Sequence, residues 1–167
     1  MEIQEKLISG TEQYPFHVSI GGVVVNKDKK VCVHYFDTIT VDDFTADNFY
    51  ILMRESPDPG ENYQQTLTRG LKEEFGLTAK PLHYIGSIQD ALPFKNNKEK
   101  TTLYFLCEYD SLDVDGRKLD DPESHSKIEW HDVDFLIEKM ILQGKKYSKY
   151  GIDEHVIIER VKELISH

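Results

Sequence analysis

Four charged side chains and one glycine are spaced across residues 61–74 in a way that suits cation chemistry. Seven residues separate Glu61 from Arg69, and Glu73 and Glu74 follow within the next five positions. Carboxylate oxygens are the ligands that Mg²⁺ and Mn²⁺ prefer in proteins. Gly70 lies one turn before the paired glutamates, where glycine costs about 1 kcal/mol relative to alanine in a helix interior. A divalent cation is one of the partners that such carboxylates could have, and Gly70 requires an explanation.

The element that carries these side chains is predicted to be a helix over residues 63–75. Asn62, with Gln65 three residues later, suits a capping box, and Gly76 suits the position just after the helix end. At 100° per residue a core-facing stripe results, formed by Tyr63, Leu67, Leu71 and Phe75.

The two glutamates fall on different parts of this helix. Glu74 lies about 20° from Leu67, inside the apolar stripe, and Glu73 lies about 120° from it, towards the outer edge. An ionised carboxylate removed from water needs a cation, several hydrogen bonds or a raised pKa. A solvated helix edge, with an Arg69–Glu73 pair and Glu74 reaching the surface, agrees equally well with the periodicity.

The rest of the chain predicts a sheet with helices around it. Runs rich in β-branched and aromatic residues predict strands at 17–25, 31–36, 47–53, 82–88, 101–109 and 127–130. The first two are joined by the turn NKDKK and predict a hairpin. Further helices are expected over 132–143, ended by Gly144, and after Asp153 as N-cap. This order predicts an α/β (α+β) domain with a mixed sheet and helices on its faces, comprising residues 1–167 as one unit.

Composition and charge exclude some classes of function. The formal net charge of −10 argues against binding to duplex nucleic acid or to anionic membranes. No apolar run long enough to span a bilayer and no signal peptide is found, so a cytoplasmic location is expected. Cys32 and Cys107 both lie in predicted strands, as free buried thiols or as a disulfide between two strands.

The spacing of the charged residues carries a more specific signal. The run PGENYQQTLTRGLKEEFGL resembles the Nudix box, G-x5-E-x7-R-E-U-x-E-E-x-G-U with U aliphatic, in which Glu61, Arg69, Leu71, Glu73, Glu74, Gly76 and Leu77 fill their positions. Two positions depart from the pattern: Glu55 stands where the box has its first glycine, and Gly70 stands where it has a glutamate. The resemblance extends over essentially the whole chain and implies an α/β/α sandwich.

The resemblance implies a chemistry and roles for the matched residues. Nudix hydrolases cleave a phosphoanhydride bond in a nucleoside diphosphate derivative or similar organic pyrophosphate, with Mg²⁺ or Mn²⁺ as cofactor. By this comparison, Glu73 and Glu74 would bind the metal. Glu61 would bind it through water or from the outer shell, and Arg69 would orient the glutamates. A purely structural ion pair remains the alternative for Arg69. The family often forms homodimers.

The general base and the substrate-binding residues are less well marked. In the family the base often comes from a loop near the end of the sheet, which predicts Glu123, with Asp121, Glu129 and His125 as alternatives. Basic and aromatic residues that could contact a phosphate or a base are scattered along the chain, and a solvated turn or a core position explains each as well: Lys95, Lys98, Lys100, Lys145, Lys146, Lys149, Tyr84, Phe94, Tyr147 and Tyr150.

Two functions therefore remain open. The first is a metal-dependent pyrophosphohydrolase that acts on a small phosphorylated substrate. The second is a catalytically impaired domain that binds a nucleotide or a protein, which Gly70 and Glu55 favour because each departs from the box. Divalent metal separates the two, since only the hydrolase requires it.

Overall fold

The computed structural model describes residues 16–41, 44–91, 99–118, 122–147 and 153–166. Seven strands in these ranges form one mixed sheet. They are β1 Phe16–Val25, β2 Val31–Val41, β3 Phe44–Ile51, β4 Met53–Glu55, β5 Leu77–Ala91, β6 Glu99–Leu112 and β7 Lys127–His131. The strand predicted over 47–53 is thus two strands, because the chain leaves β3 at Leu52 to pair with another neighbour.

The order of the main strands is β3-β2-β1-β6-β5, with β4 paired to β1 and β7 paired to β2. β1 runs parallel to β6 over its whole length, from Phe16 beside Glu99 to Val25 beside Glu108. The predicted hairpin of β1 and β2 is limited to the pairing of Val25 with Val31. Beyond that pair, β2 is hydrogen-bonded to β3 and β7 instead.

Helices pack on both faces of the sheet, which confirms the predicted α/β/α arrangement. Helix α1, Tyr63–Gly70, is continued by a π-helical turn, Leu71–Phe75, and covers one face. Helices α2, Val133–Lys146, and α3, His155–Ile165, cover the other. β1 separates two cores, since Ile20 and Val24 face α1 whereas Val23 and Val25 face α2 and α3.

Two predicted helix ends were wrong. α2 continues past Gly144 to Lys146. Gly144 does not adopt the left-handed conformation that would end the helix there. The N-cap of α3 is Glu154 rather than Asp153, and its side chain does not cap the helix. The carboxylate of Glu154 is used for other hydrogen bonds.

The two cysteines are free and buried in the core under α1. Burial raises the pKa of the Cys107 thiol to about 12 and raises that of Cys32 further still, so both act as apolar core residues. Over the part of the chain that the structure covers, no helix combines the length and the apolar character needed to cross a membrane.

Candidate active site

The charged segment lies between β4 and β5. A capping box and two glycines with positive φ determine its backbone conformation. Asn62 accepts a hydrogen bond from the Gln65 N–H, and the Gln65 side chain accepts one from the Asn62 N–H, which confirms the capping box. Gly60 and Gly76 have φ values of 84° and 65°, both in the left-handed region that glycine adopts without strain. Gly76 thus ends the helical segment at the predicted position.

The second half of the predicted helix is a π-helical turn that carries both Glu73 and Glu74. A π-turn has wider spacing than an α-helix and is found frequently at functional sites. Glu74 is buried, at 9% exposure, which excludes the solvated alternative that the periodicity had left open. Tyr63 departs from that stripe: its ring is 47% exposed and stacks on Phe105 with centroids 4.9 Å apart.

Arg69 is the centre of an acidic cluster. Its Nε donates to Glu61 Oε1 at 2.9 Å and its Nη2 donates to Glu61 Oε2 at 2.7 Å, a bidentate pair. Three further carboxylates approach the same guanidinium, Glu55 at 3.2 Å, Asp58 at 3.5 Å and Glu73 at 3.6 Å. Arg69 therefore contacts four acidic side chains, an arrangement that agrees with the orienting role and with the structural ion pair alike.

Two carboxyls beside Arg69 have pKa values shifted in opposite directions. The hydrogen bond from Arg69 lowers the pKa of Glu61 to about 2. Burial raises the pKa of Glu55, which Arg69 opposes in part and the nearby Glu73 carboxylate reinforces. Glu61 also accepts hydrogen bonds from the Asp58 N–H and the Thr66 hydroxyl, so its oxygens are largely used in holding Arg69 and the loop.

Glu74 is held from the sheet side by a histidine of β2. His34 Nε2 lies 2.9 Å from Glu74 Oε2, and His34 Nδ1 lies 2.7 Å from the Ser126 hydroxyl. Burial, together with the nearby charges of Arg117 and Arg54, lowers the pKa of His34 to about 3. The imidazole is thus neutral, and the contact is a hydrogen bond from Nε2–H to the carboxylate rather than an ion pair.

The loop after β6 is tied to the π-turn by two basic residues. Arg117 Nε donates to the Glu74 carbonyl at 2.8 Å, and its Nη2 donates to the Glu123 carbonyl at 2.8 Å. The Lys118 N–H donates to the Glu73 carbonyl, and Lys118 Nζ lies 2.8 Å from Glu73 Oε1. The loop and the paired glutamates therefore form one connected unit.

An open groove runs along the exposed side of α1 beside this unit. Its volume is about 640 Å³, and its charged walls are formed by Glu61, Arg69, Lys72, Glu73 and Lys118. Two lysines and one arginine thus face the groove, which gives an anionic ligand cationic partners close to the carboxylates.

The candidates for the general base differ in how closely they are connected to the segment that carries Glu73 and Glu74. The backbone of Glu123 is held by Arg117 in the loop beside Glu74, and its side chain is part-buried. His125 is exposed, and Glu129 lies on β7 with its Oε2 2.6 Å from His131 Nε2. Asp121 lies outside the described residues. Of the three candidates that the structure describes, Glu123 is attached most directly to the segment that carries the paired glutamates.

The basic and aromatic residues singled out in the sequence do not line this groove where the structure describes them. Lys145 and Lys146 end α2, Tyr147 packs against Phe44 and Phe49, and Tyr84 contacts Phe105. Lys100 lies on β6. The remaining residues of that set lie outside the described ranges: Phe94, Lys95, Lys98, Lys149 and Tyr150.

Several residues of the site carry little signal in the sequence. His34 is one imidazole in the apolar run VCVHYF, although it shares a strand face with Cys32 and Phe36, which indicates an inward side chain. Arg117 and Lys118 lie in an acidic loop with no pattern of its own. Their roles depend on contacts with residues about 40 positions away, which spacing along the chain does not reveal.

Comparison with known proteins agrees with this geometry. The sequence profile of the NUDIX domain matches residues 15–150. The chain belongs to the Nudix family. The matched residues 15–150 include the acidic cluster, the groove and the loop that carries Arg117 and Glu123.

Solved structures show the same fold at low sequence identity. The Escherichia coli ORF135 protein aligns with a TM-score of 0.60 and 14% identity, over 89% of this chain and 90% of that one. A NUDIX hydrolase from Nitrosomonas europaea aligns with a TM-score of 0.57 and 18% identity, over 81% and 90% of the two chains. A MutT NUDIX hydrolase from Burkholderia pseudomallei aligns at 0.54 and 15%, over 71% and 84%. No curated protein sequence matches the chain significantly.

Proposed function

We propose that this Nudix protein hydrolyses a phosphoanhydride bond in a nucleoside diphosphate derivative or similar organic pyrophosphate, with Mg²⁺ or Mn²⁺ as cofactor. The observation that carries the proposal is the charge imbalance at Arg69, where four carboxylates lie within 3.6 Å of one guanidinium. Carboxylates that crowd one guanidinium repel one another, which costs free energy unless further positive charge joins them. An excess of carboxylates beside a groove suits a site completed by a divalent cation and an anionic substrate.

The donor chemistry fits such a cation, with one condition. Glu73 and Glu74 offer hard oxygen ligands, Glu73 at the groove and Glu74 behind it, steadied by the neutral His34. Across the described ranges, no three His, Cys, Asp or Glu side chains are already grouped as a metal centre. Metal binding therefore requires that Lys118, whose side chain is 52% exposed, release Glu73.

Different residues of the chain would have separate roles in hydrolysis. A bound divalent cation supplies charge neutralisation on the phosphoryl oxygens and lowers the pKa of a bound water. Glu73 and Glu74 would hold that cation, and the Glu61–Arg69 pair would fix the helix from which they project. Glu123 accepts the proton of the attacking water, from a loop that Arg117 ties to the Glu74 carbonyl. Lys72 and Lys118 bind phosphate oxygens along the groove.

A substrate panel tests this proposal directly. Nucleoside diphosphate sugars, dinucleoside polyphosphates, ADP-ribose and nucleoside triphosphates are incubated with the protein and Mg²⁺ or Mn²⁺, and release of phosphate or nucleoside monophosphate is measured. Glu74→Gln keeps an oxygen that accepts from His34 but loses the charge, so kcat/KM should fall at least about a hundredfold. Glu123→Gln should lower it between about 10²- and 10⁴-fold.

The matched control is Glu138→Gln, the same chemical change on the exposed side of α2, which should leave kcat/KM unchanged. Cleavage of no compound with either metal would contradict the proposal. So would equal activity of wild type and Glu74→Gln.

A binding module without hydrolysis is the second candidate. It is favoured by the pairing of Glu73 with both Lys118 and Arg69 and by the lack of a carboxylate at Gly70. Millimolar Mg²⁺ or Mn²⁺ should raise the melting temperature of the hydrolase, since the ion binds only the folded state, and Glu74→Gln should reduce the rise. A nucleotide that raises the melting temperature while neither metal does would favour the binding module.

A further inference from the structure

The two positions that depart from the Nudix box are in contact with each other. A Cβ atom built on Gly70 would lie 2.7 Å from Glu55 Cβ and 3.2 Å from Glu55 Cγ. A separation of 2.7 Å between two carbon atoms is far inside their van der Waals contact. The place from which a side chain at position 70 would start is therefore already filled by the side chain of Glu55.

Glu55 cannot move aside easily to make that room. It is paired with Ile20 on the neighbouring strand, so its Cβ position is set by the sheet backbone. Met53 Sδ, on the same side of β4, would lie 3.0 Å from the same added atom. The absence of a side chain at Gly70 thus has a structural reason, since Glu55 and any larger residue at position 70 exclude each other.

The carboxylate of Glu55 reaches the same cluster that a glutamate on the helix would join. Glu55 Oε2 lies 3.2 Å from Arg69 Nη1, the atom that also lies 3.6 Å from Glu73 Oε2. Glu55 Oε1 accepts the Ser56 N–H at 2.8 Å, which fixes the orientation of the carboxylate. The side chain is 22% exposed, close to the 18% of Glu73, so both are accessible from solvent.

We infer that the acidic side chain of the box has changed its position, and that Glu55 supplies to a bound divalent cation the carboxylate that position 70 lacks. The inference rests on the proposed function. The glycine and the glutamate of the box are exchanged as a pair, so that the strand provides the oxygen ligand and the helix provides the space. The protein thereby keeps the number of carboxylates at the site.

Mn²⁺ binding measured without substrate, by electron paramagnetic resonance or calorimetry, tests the inference. Glu55→Gln keeps the volume and removes the charge, so Mn²⁺ affinity should fall at least about tenfold. The metal-free melting temperature should stay close to that of the wild type. The control Glu108→Gln, an exposed residue of β6, should leave the affinity within a factor of about two.

An exchange of the two residues gives the sharper test. Glu55→Gly should lose Mn²⁺ affinity as Glu55→Gln does, and Glu55→Gly combined with Gly70→Glu should recover it, since the carboxylate then comes from the helix. Gly70→Glu alone should lower the metal-free melting temperature, because the new Cβ meets Glu55.

The outcomes separate the inference from the proposed function. If the wild type binds Mn²⁺ and Glu55→Gln binds it equally well, Glu55 is not a ligand and the proposed function stands. A double variant with no more affinity than Glu55→Gly would also overturn the inference. If the wild type itself binds no Mn²⁺, both are overturned.

Discussion

Two neighbouring residues of β4 belong to two ionic clusters, one on each face of the sheet. The clusters differ in their balance of negative and positive charge. Arg54 faces α3, where its Nε lies 3.5 Å from Glu154 Oε1. Glu55 faces α1, where it joins the carboxylates around Arg69. Side chains alternate along a strand, so one short strand serves both clusters.

In the cluster under α3 one negative charge is paired with one positive charge. Both oxygens of the Glu154 carboxylate accept hydrogen bonds. Glu154 is 4% exposed, its Oε1 accepts from the Tyr104 hydroxyl at 2.7 Å, and its Oε2 accepts from the Leu52 N–H at 2.9 Å. One carboxylate faces one arginine there, whereas under α1 four carboxylates face Arg69 and only Glu73 among them is also paired with Lys118 in the described residues. Burial of a glutamate alone therefore does not distinguish the two clusters, whereas the excess of carboxylates beside a groove does, and the proposed site rests on that excess.

Glu154→Ala should have the largest effect on stability of any change in the two clusters. It leaves the Leu52 N–H, the Tyr104 hydroxyl and Arg54 without this partner, which costs about 3–5 kcal/mol of unfolding free energy. Urea unfolding measures the loss, and Glu159→Ala, exposed on the same helix, should change it by less than about 0.5 kcal/mol. A loss as small as that of the control would show that the cluster under α3 does not stabilise the fold.

Replacement of Glu61 should cause a smaller loss of stability, which depends on pH. Its folded pKa of about 2 lies below the ordinary value of 4.5. The ionised carboxylate therefore stabilises the fold fully above about pH 4.5, and this contribution is lost as the pH falls towards 2. Glu61→Gln should lower the melting temperature at neutral pH, at a cost on the order of 1 kcal/mol since the pair is part-exposed and screened.

The difference between wild type and Glu61→Gln should then shrink on acidification and vanish near pH 2. Asp58→Asn removes a carboxylate from the same guanidinium at a site that is 67% exposed, and should cost less than about 0.5 kcal/mol. A difference between wild type and Glu61→Gln that stays constant from neutral pH to pH 2 would show that the Arg69 pair does not set the pKa of Glu61.

Local signals predicted the framework of the site well. The capping box at Asn62 and the helix end at Gly76 follow from side chains within one or two turns of each other, and the structure has both. Periodicity alone left the burial of Glu74 open, and the structure decides it. The α/β/α arrangement follows from the order of strands and helices. These features depend on short-range periodicity and caps, which a single sequence displays.

Features that depend on long-range contacts could not be predicted in this way. The reason for Gly70 lies at Glu55, on a different element, and the partner of Glu74 lies at His34 on β2. The parallel pairing of β1 with β6 joins residues more than 80 positions apart. The π-turn also depends on packing, because its residues read as a continuous α-helix in the sequence.

The smallest expected effect concerns Lys118, the cation that the acidic cluster already holds. Its Nζ lies 2.8 Å from Glu73 Oε1, and its side chain is 52% exposed. An exposed pair contributes up to about 1 kcal/mol, so Lys118→Met should raise Mn²⁺ affinity by up to about fivefold. Lys72→Met is the control, since Lys72 is equally exposed in the same groove but pairs with Asp113. Equal gains from both variants would show that the charge of the groove, rather than competition for Glu73, opposes the metal.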